Sequence, residues 1–403
     1  YQADKPITEQ TEALGHAVRA AYFYAGAADV ARLTGDSDLL ASCERLWRNI
    51  VDRKLYITGG IGATHMGEAF SFDYDLPNDT AYSESCAAIA LAFFARRMLE
   101  IQPKSEYADV MESALYNTTL AGMALDGKSF FYVNPLEVVP EACHRDERKA
   151  HVKPVRQKWF GCACCPPNIA RIVEDVQQYA YTIGDDSSTL YVHLYMGGGV
   201  HARLSGTDVR LDVMSDMPWS GKGSVAVGFD AGDSASDASK DAVFTIALRL
   251  PAWAGGETAS DAVTVRGRDD ISRVIRDGYL YLTGAWHDGD VVVHDPEPFG
   301  TQLVRLLHAC GETARTTEVV GLRRVDHAVL VAGQVGHGGA PLAGHLAGKR
   351  SDHVRRLIGL LIVHDDNAPR CLFKRQNRIE QCLKQLLTFV GGDDQGKLVD
   401  GVV

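Results

Sequence analysis

The spacing of apolar residues changes near residue 185, and that change divides what the chain can fold into. Before it, apolar residues recur at helical intervals: Ile7, Leu14, Val18, Ala21, Tyr22 and Ala25 trace one stripe, and Cys86, Ile89, Phe93, Phe94 and Met98 another. After it, the stretches 190–196, 209–213, 243–250 and 279–282 alternate with a period of two between Gly, Asp and Ser turns. The expected architecture is therefore multidomain α and β. A helical portion covers 1–184, and an antiparallel β-sandwich covers 185–299.

Local signals refine this. Two helices are expected over 7–53, divided at Thr34-Gly35-Asp36-Ser37, which supplies a stop and a new N-cap. A third runs from Asp79 or Thr80 to about residue 100, a fourth over 104–124, and a fifth over 167–182 behind Pro166-Pro167. The segment 130–139 reads as extended, and the Gly/Ser/Asp-rich stretch 230–241 as a loop or ragged hairpin. Consecutive helix pairs of this kind suit a bundle, a solenoid or an α/α barrel.

Residues 301–403 differ from the rest. They contain no Tyr or Trp and carry 14 Lys+Arg against 10 Asp+Glu, whereas the preceding 300 residues carry 27 against 42. The strand pattern stops there too, so 300–403 is expected to be an atypical segment: an appended module, a disordered tail or the product of a shifted reading frame.

The whole chain carries a net charge of −11, which opposes non-specific nucleic-acid binding. No apolar run approaches the roughly 18 residues of a membrane span. The first residues, from Tyr1 to Pro6, lack an initiator Met and a signal-peptide pattern, and the expectation is that the start of the protein is absent. Nine cysteines, three of them in Cys162-Ala163-Cys164-Cys165, point to a reducing compartment or a metal site rather than a disulfide framework. The cytoplasm is the compartment expected.

Two constellations carry chemistry. Glu84 and Cys86 at the start of a helix, with Cys164 and Cys165, offer three thiolates and a carboxylate, a set suited to tetrahedral zinc. The plain alternative is a buried Cys86 and an unrelated thiol cluster. The second constellation is the acidic and aromatic run from Gly67 to Asp79, with Glu68 as the best candidate acid beside Phe70, Phe72 and Tyr74. Asp73, Asp75 and Asp79 read as loop and capping residues. His16, on an apolar helix, and Tyr132 read as core residues, and the run from Lys153 to Lys158 as a solvated face. Gly59-Gly60-Ile61-Gly62 lacks the context of a phosphate loop, so nucleotide binding is rejected.

Four motifs occur in order: Tyr56-Ile-Thr-Gly-Gly-Ile-Gly62, Gly67-Glu-Ala-Phe-Ser-Phe-Asp-Tyr-Asp-Leu-Pro-Asn-Asp-Thr-Ala-Tyr82, Glu84-Ser-Cys86-Ala, and Gly161-Cys-Ala-Cys-Cys-Pro-Pro-Asn168. Together they resemble the glycoside hydrolase family 127 β-L-arabinofuranosidases over roughly residues 1–296. Leu248-Arg-Leu-Pro-Ala-Trp253 and Trp286-His-Asp-Gly-Asp290 resemble strands of that family's β-domain. The resemblance implies an (α/α)₆ barrel, incomplete at its N-terminal side in this chain, followed by a β-sandwich. It also implies a retaining hydrolase that releases terminal β-L-arabinofuranose.

Residue by residue, the resemblance implies zinc held by Glu84, Cys86, Cys164 and Cys165, with Cys164 as nucleophile and Glu68 as acid/base. It also turns His16 and Tyr132 into sugar-contacting residues. The expected partners are an arabinofuranose-containing oligosaccharide and a second copy of the chain in a homodimer, with neither nucleic acid nor membrane. The competing readings are an inactive fragment or carbohydrate-binding module with a structural zinc, and another α/α-barrel sugar enzyme such as an epimerase.

Overall fold

The computed structural model describes residue 2, residues 4–215, 221–229 and 242–294, and the backbone of two strands at 319–325 and 328–333. The described residues up to 294, apart from 123–130, belong to one compact unit; 123–130 and the strands beyond 318 belong to a second.

In the first unit, helix α1 spans Ala17–Thr34, α2 Ser37–Arg53, α3 Ser85–Ile101, α4 Ser105–Ser113, α5 Cys165–Glu174 and α6 Gln177–Ala180. The junction between α1 and α2 is the one the sequence signals. Gly35 ends α1 at φ 71°, a conformation that costs glycine little, and the Asp36 carboxylate accepts from the N–H groups of Asp38 and Leu39 at 3.0 and 2.9 Å. Helix α3 is buried on nearly every side, from Cys86 to Leu99, and so reads as the central helix of the group. Ala20, Ala21 and Ala28 of α1 are fully buried, and such small side chains allow close helix approach. Trp47 of α2 packs edge-on against Phe94 of α3 and Tyr107 of α4, with ring centroids 5.3 and 5.0 Å apart.

Several expected boundaries move. Ile7–Glu9 is only a single 3₁₀ turn, and α1 begins at Ala17, so Ile7 and Leu14 lie outside the helix. The helix expected from Asp79 begins at Ser85, because Glu84 occupies the N-cap in an extended conformation. The helix expected over 104–124 is α4 followed by a π-helical turn, Ala114–Thr119. Residues 130–139 form no strand; Val133 makes an isolated bridge to Glu84. The helix expected over 167–182 starts earlier, with prolines in its first turn, and gives way to strand at Tyr181.

Among the described residues the β portion holds ten strands: β1 Tyr181–Ile183, β2 Thr189–Val192, β3 Gly198–Leu204, β4 Thr207–Ser215, β5 Gly223–Phe229, β6 Ala242–Arg249, β7 Val263–Val265, β8 Ser272–Arg276, β9 Tyr279–Trp286 and β10 Val291–His294. They make two five-stranded sheets, in the orders β1-β2-β6-β9-β8 and β3-β4-β5-β10-β7. All ladders are antiparallel except β2 with β6, where Leu190 pairs with Ile246. That pair departs from the expected all-antiparallel pattern because the chain leaves β2 for the other sheet and re-enters pointing the same way. One hydrophobic cluster takes residues from both sheets, including Val192, Phe244 and Leu282 from the first and Leu211, Val225 and Val292 from the second. Alternation in β4 explains how: Val209, Leu211 and Val213 turn inward while Arg210 and Asp212 face solvent.

Arg249, at the end of β6, joins strand to helix. It is fully buried, and its two terminal nitrogens donate to Asp109 Oδ1 and Glu112 Oε1 of α4, both at 2.6 Å. The Trp253 indole N–H donates to the other Glu112 oxygen at 2.7 Å.

In the second unit, Met123 bridges Phe130 across a tight loop in which Ala124 N–H donates to Ser129 O at 2.9 Å. Strand β11, Val319–Val325, pairs antiparallel with β12, Ala328–Gly333, where the sequence pattern places no strand. The expectations for 230–241, and for 300–403 apart from these strands, fall outside the described residues.

Candidate active site and metal centre

The site is built from chain segments at helix N-termini. Glu84 caps α3, yet its carboxylate makes no capping hydrogen bond. It turns instead toward the start of α5, where Cys164 is the N-cap and Cys165 the first residue. Cys86, in the first turn of α3, meets the same point.

Glu84, Cys86, Cys164 and Cys165 place one ligand atom each within 4.8 Å of one another. Cys86 Sγ lies 3.6 Å from Cys165 Sγ, and Cys164 Sγ lies 3.8 Å from it. Cys164 Sγ stands 3.3 Å from Glu84 Oε1, and Cys165 Sγ 3.9 Å. A tetrahedral centre with metal–sulfur bonds of about 2.3 Å and a metal–oxygen bond of about 2.0 Å sets sulfurs roughly 3.8 Å apart and sulfur from oxygen roughly 3.5 Å. The four separations above lie within about 0.4 Å of that spacing. The sulfur separations far exceed the roughly 2.0 Å of a disulfide.

The electrostatics point the same way. Burial first, and then the charge of Cys164, pushes the Glu84 carboxyl up to about 9. Hydrogen bonds from the Cys165 and Cys86 thiols hold Cys164 well below the ordinary thiol range, and giving those bonds pushes Cys86 and Cys165 up. Glu84 Oε2 is buried and has no hydrogen-bond partner. Four acidic donors, three of them buried, and an orphaned oxygen at one point fit a divalent cation, which would let all four ionise together.

Glu68 stands beside this cluster. It sits at φ 52°, an uncommon left-handed position for a glutamate, after Gly67 at φ 71°. Its backbone is fixed by Ala17 N–H donating to Glu68 O at 2.9 Å, and a bridge joins His16 to Ala69. Its carboxylate is held at both oxygens, Oε2 lying 2.8 Å from His16 Nε2 and Oε1 accepting from the Tyr82 phenol at 2.8 Å. His16, Glu68 and Glu84 converge within 4.8 Å. His16 is thus the N-cap of α1 rather than a residue of an apolar helix face. Tyr132 is largely buried, as a core residue would be, but its Oη lies 3.2 Å from Cys164 Sγ.

All six residues singled out for a role other than Cys165 line one open cavity of about 570 Å³: His16, Glu68, Glu84, Cys86, Tyr132 and Cys164. Tyr22, Asn168 and Arg171 also line it; the sequence places Tyr22 on an apolar stripe and gives Asn168 and Arg171 no role. Arg171 Nη2 donates to Tyr22 Oη at 2.6 Å and to Asn168 Oδ1 at 2.5 Å.

Asp73, Asp75 and Asp79 do not line the cavity. Asp73 accepts from Arg53 and Asn49 at 2.7 and 3.0 Å, and Asp79 pairs with Lys149. Of the aromatics near Glu68, Phe70 is buried while Phe72 and Tyr74 are exposed, and none lines the cavity. Arg156, expected on a solvated face, donates to Ala121 O and lies over the Phe131 ring. The glycines of 59–62 serve packing: a Cβ on Gly59 would stand 2.4 Å from Ala114 N, and one on Gly60 2.0 Å from Ser83 Oγ.

No helix among the described residues is long and apolar enough to cross a membrane. Residues 1–178 match the catalytic-domain model of the GH127 β-L-arabinofuranosidases, and residues 189–295 match the middle-domain model of the same family. The chain is similar to a non-reducing end β-L-arabinofuranosidase of Bifidobacterium longum subsp. longum, with 43% identity over 282 residues, covering 70% of this chain and 41% of the relative. It is also similar to a crystal structure of a GH127 β-L-arabinofuranosidase from Geobacillus stearothermophilus T6, with a TM-score of 0.66, 46% identity, and coverage of 74% of this chain and 45% of that one. A further GH127 β-arabinofuranosidase structure matches with a TM-score of 0.63 and 38% identity, over 73% of this chain and 44% of the other. The chain spans less than half the length of each of these relatives. With two successive domain models of one family matched in order and the motif residues gathered at one cavity, this chain belongs to glycoside hydrolase family 127.

Proposed function

We propose that this chain carries the working part of a retaining β-L-arabinofuranosidase, with Cys164 as nucleophile, Glu68 as acid/base and zinc held by Glu84, Cys86, Cys164 and Cys165. The observation that carries the reading is the convergence of those four ligand atoms within 4.8 Å, beside a Glu68 that faces the same cavity.

The chemistry follows from the groups present. Zinc, when bound, would keep the three thiols ionised and lower the cost of burying Glu84 as a carboxylate. The Cys164 sulfur attacks the anomeric carbon as the bond to the aglycone oxygen breaks, and Glu68 delivers a proton to that oxygen. Glu68 then takes a proton from water, whose oxygen attacks the same carbon, and the carbon–sulfur bond breaks to restore the thiolate. Two inversions return the original configuration. His16 and Tyr132, both lining the cavity, would hold the sugar's hydroxyl groups.

The same reading carries a partial (α/α)₆ barrel over 1–184, a β-sandwich over 185–299 whose two sheets share one core, and a distinct segment over 300–403. It also carries an arabinofuranose-containing oligosaccharide as substrate, a homodimer as assembly, and the cytoplasm as a compartment that keeps the site's thiols reduced.

Elemental analysis of protein purified without added metal, followed by an assay on an aryl β-L-arabinofuranoside, tests the reading. About one zinc per chain and release of arabinose are expected. Glu68→Gln should abolish turnover and leave zinc in place, which a purely structural zinc module would not show. Cys164→Ser should also abolish turnover, whereas a histidine-based epimerase would keep its activity. Metal-free protein without turnover would overturn the proposal.

A further inference from the structure

Glu68 has to hold a proton, deliver it to one oxygen of the substrate, and take one back from water. That work requires one carboxyl oxygen that can hold the proton in one step and do without it in the next. Which oxygen does it is decided by the hydrogen bonds at the other.

Tyr82 supplies that bond. Its phenol donates to Glu68 Oε1 at 2.8 Å, and among the described residues it has no other hydrogen-bond partner. A proton on Oε1 would force the phenol to accept and to send its own hydrogen to an acceptor that no described residue supplies. Oε2 faces His16 Nε2 at 2.8 Å, and an imidazole nitrogen can accept from a protonated Oε2 as well as donate to an ionised one; Glu68 lines the cavity while Tyr82 does not. The tyrosine is held as firmly as the bond needs. It is 9% exposed, and its ring meets Tyr132 edge-on at 6.0 Å and lies 5.7 Å from His151, which stacks on His65 at 4.7 Å. His151 is itself anchored, with Nε2 3.1 Å from Thr80 O.

We infer that Tyr82 is a positioning residue for acid/base catalysis, pinning Glu68 Oε1 so that the proton exchanged with the substrate is carried on Oε2. The inference rests on the arabinofuranosidase reading above. In the first step the Oε2 proton passes to the glycosidic oxygen as its bond to the anomeric carbon breaks, leaving a carboxylate that still accepts from Tyr82. In the second, Oε2 recovers a proton from the attacking water, and Tyr82 keeps its hydrogen throughout.

The test compares Tyr82→Phe with wild type and Glu68→Gln on two arabinofuranosides, one with an alkyl aglycone that needs protonation to leave and one with a dinitrophenyl aglycone that does not. The substitution keeps the ring and its packing and removes only the hydroxyl. General acid catalysis contributes about 10²–10⁴-fold, so Tyr82→Phe should cost about 10-fold in kcat/KM on the alkyl substrate and less than about 2-fold on the dinitrophenyl one, with metal content unchanged. Glu68→Gln should show the same asymmetry on a larger scale. Equal losses on both substrates would assign Tyr82 a structural role, and no loss on either would assign it none; each overturns the inference. Wild-type protein inert on both substrates would instead remove the arabinofuranosidase reading and the role of Tyr82 with it.

Discussion

Glu84 shows why single residues in this site resist a one-line description. It is placed where a helix N-cap would ordinarily use its side chain, yet it withholds that bond and leaves Oε2 buried and unpartnered. Such an oxygen costs on the order of 1–3 kcal/mol unless something binds it. A metal would remove that cost, so the ligands should act as a set. Cys165→Ser is expected to take the metal content from about one per chain to near zero, while Cys43→Ser, a buried thiol outside the cluster, leaves it unchanged. Elemental analysis of both variants checks this. The cluster of these four residues was legible in the sequence because thiols and an acid crowd two short motifs, and the place of His16 and Tyr132 beside it was suggested only by the resemblance. Asn168 and Arg171 were not legible, since the contact between Arg171 and Tyr22 joins residues 149 apart. Tyr82 was quoted inside a motif without a role, because nothing in local spacing says which carboxylate a phenol will reach.

At the level of elements, the chain's glycine-rich motif and its π-helical turn explain each other. Gly59 sits at φ 75°, and a Cβ there would stand 2.4 Å from Ala114 N and 2.6 Å from Ala114 Cα, both backbone atoms that cannot rotate away. Ala114 opens the π-turn, so Gly59→Ala meets both a conformational and a steric penalty. Gly206, at φ 82° with nothing within 4 Å of a Cβ, meets only the first. Gly206→Ala should cost about 1–2 kcal/mol and Gly59→Ala at least about 1 kcal/mol more, read from urea midpoints. The sequence predicted a turn at Gly59 and a helix at Ala114 but not their contact, which is why it ran one helix through to residue 124. Strand alternation was more legible, because a half-buried strand declares itself locally, as β4 does.

The β elements carry their own pH signature. His193 is fully buried between Thr182 Oγ1 at 2.7 Å and Tyr279 Oη at 2.6 Å, and burial pushes its imidazole down to about 3. Between about pH 3 and 6.5 the unfolded chain therefore binds a proton that the folded chain refuses. The stability this group supports is present above about pH 6.5 and falls by up to about 1.4 kcal/mol per pH unit below it. His193→Gln should flatten the dependence of the unfolding midpoint between pH 7 and 5; an unchanged slope would place the sensitivity elsewhere.

For the molecule as a whole, the question is what makes the helices and the sheets of the first unit one structure, and Arg249 gives the physical answer. Its guanidinium leaves the end of β6, loses all contact with water, and finds its charge met by Asp109 and Glu112 on α4. Burial alone would lower its affinity for a proton, but the two carboxylates outweigh that, and the group stays charged well above its ordinary range. A buried pair of this kind contributes little compared with a well-packed apolar replacement, but breaking it on one side is costly because the partners stay buried and charged. Arg249→Met should therefore lower the unfolding free energy by about 3–5 kcal/mol in urea titrations at neutral pH. Adding Glu112→Leu to Arg249→Met should recover part of that loss rather than deepen it, since the second change removes the stranded carboxylate. If the two losses simply add, Arg249 and Glu112 do not act as a pair, and the joint between β6 and α4 must rest on Trp253 and the apolar contacts around it.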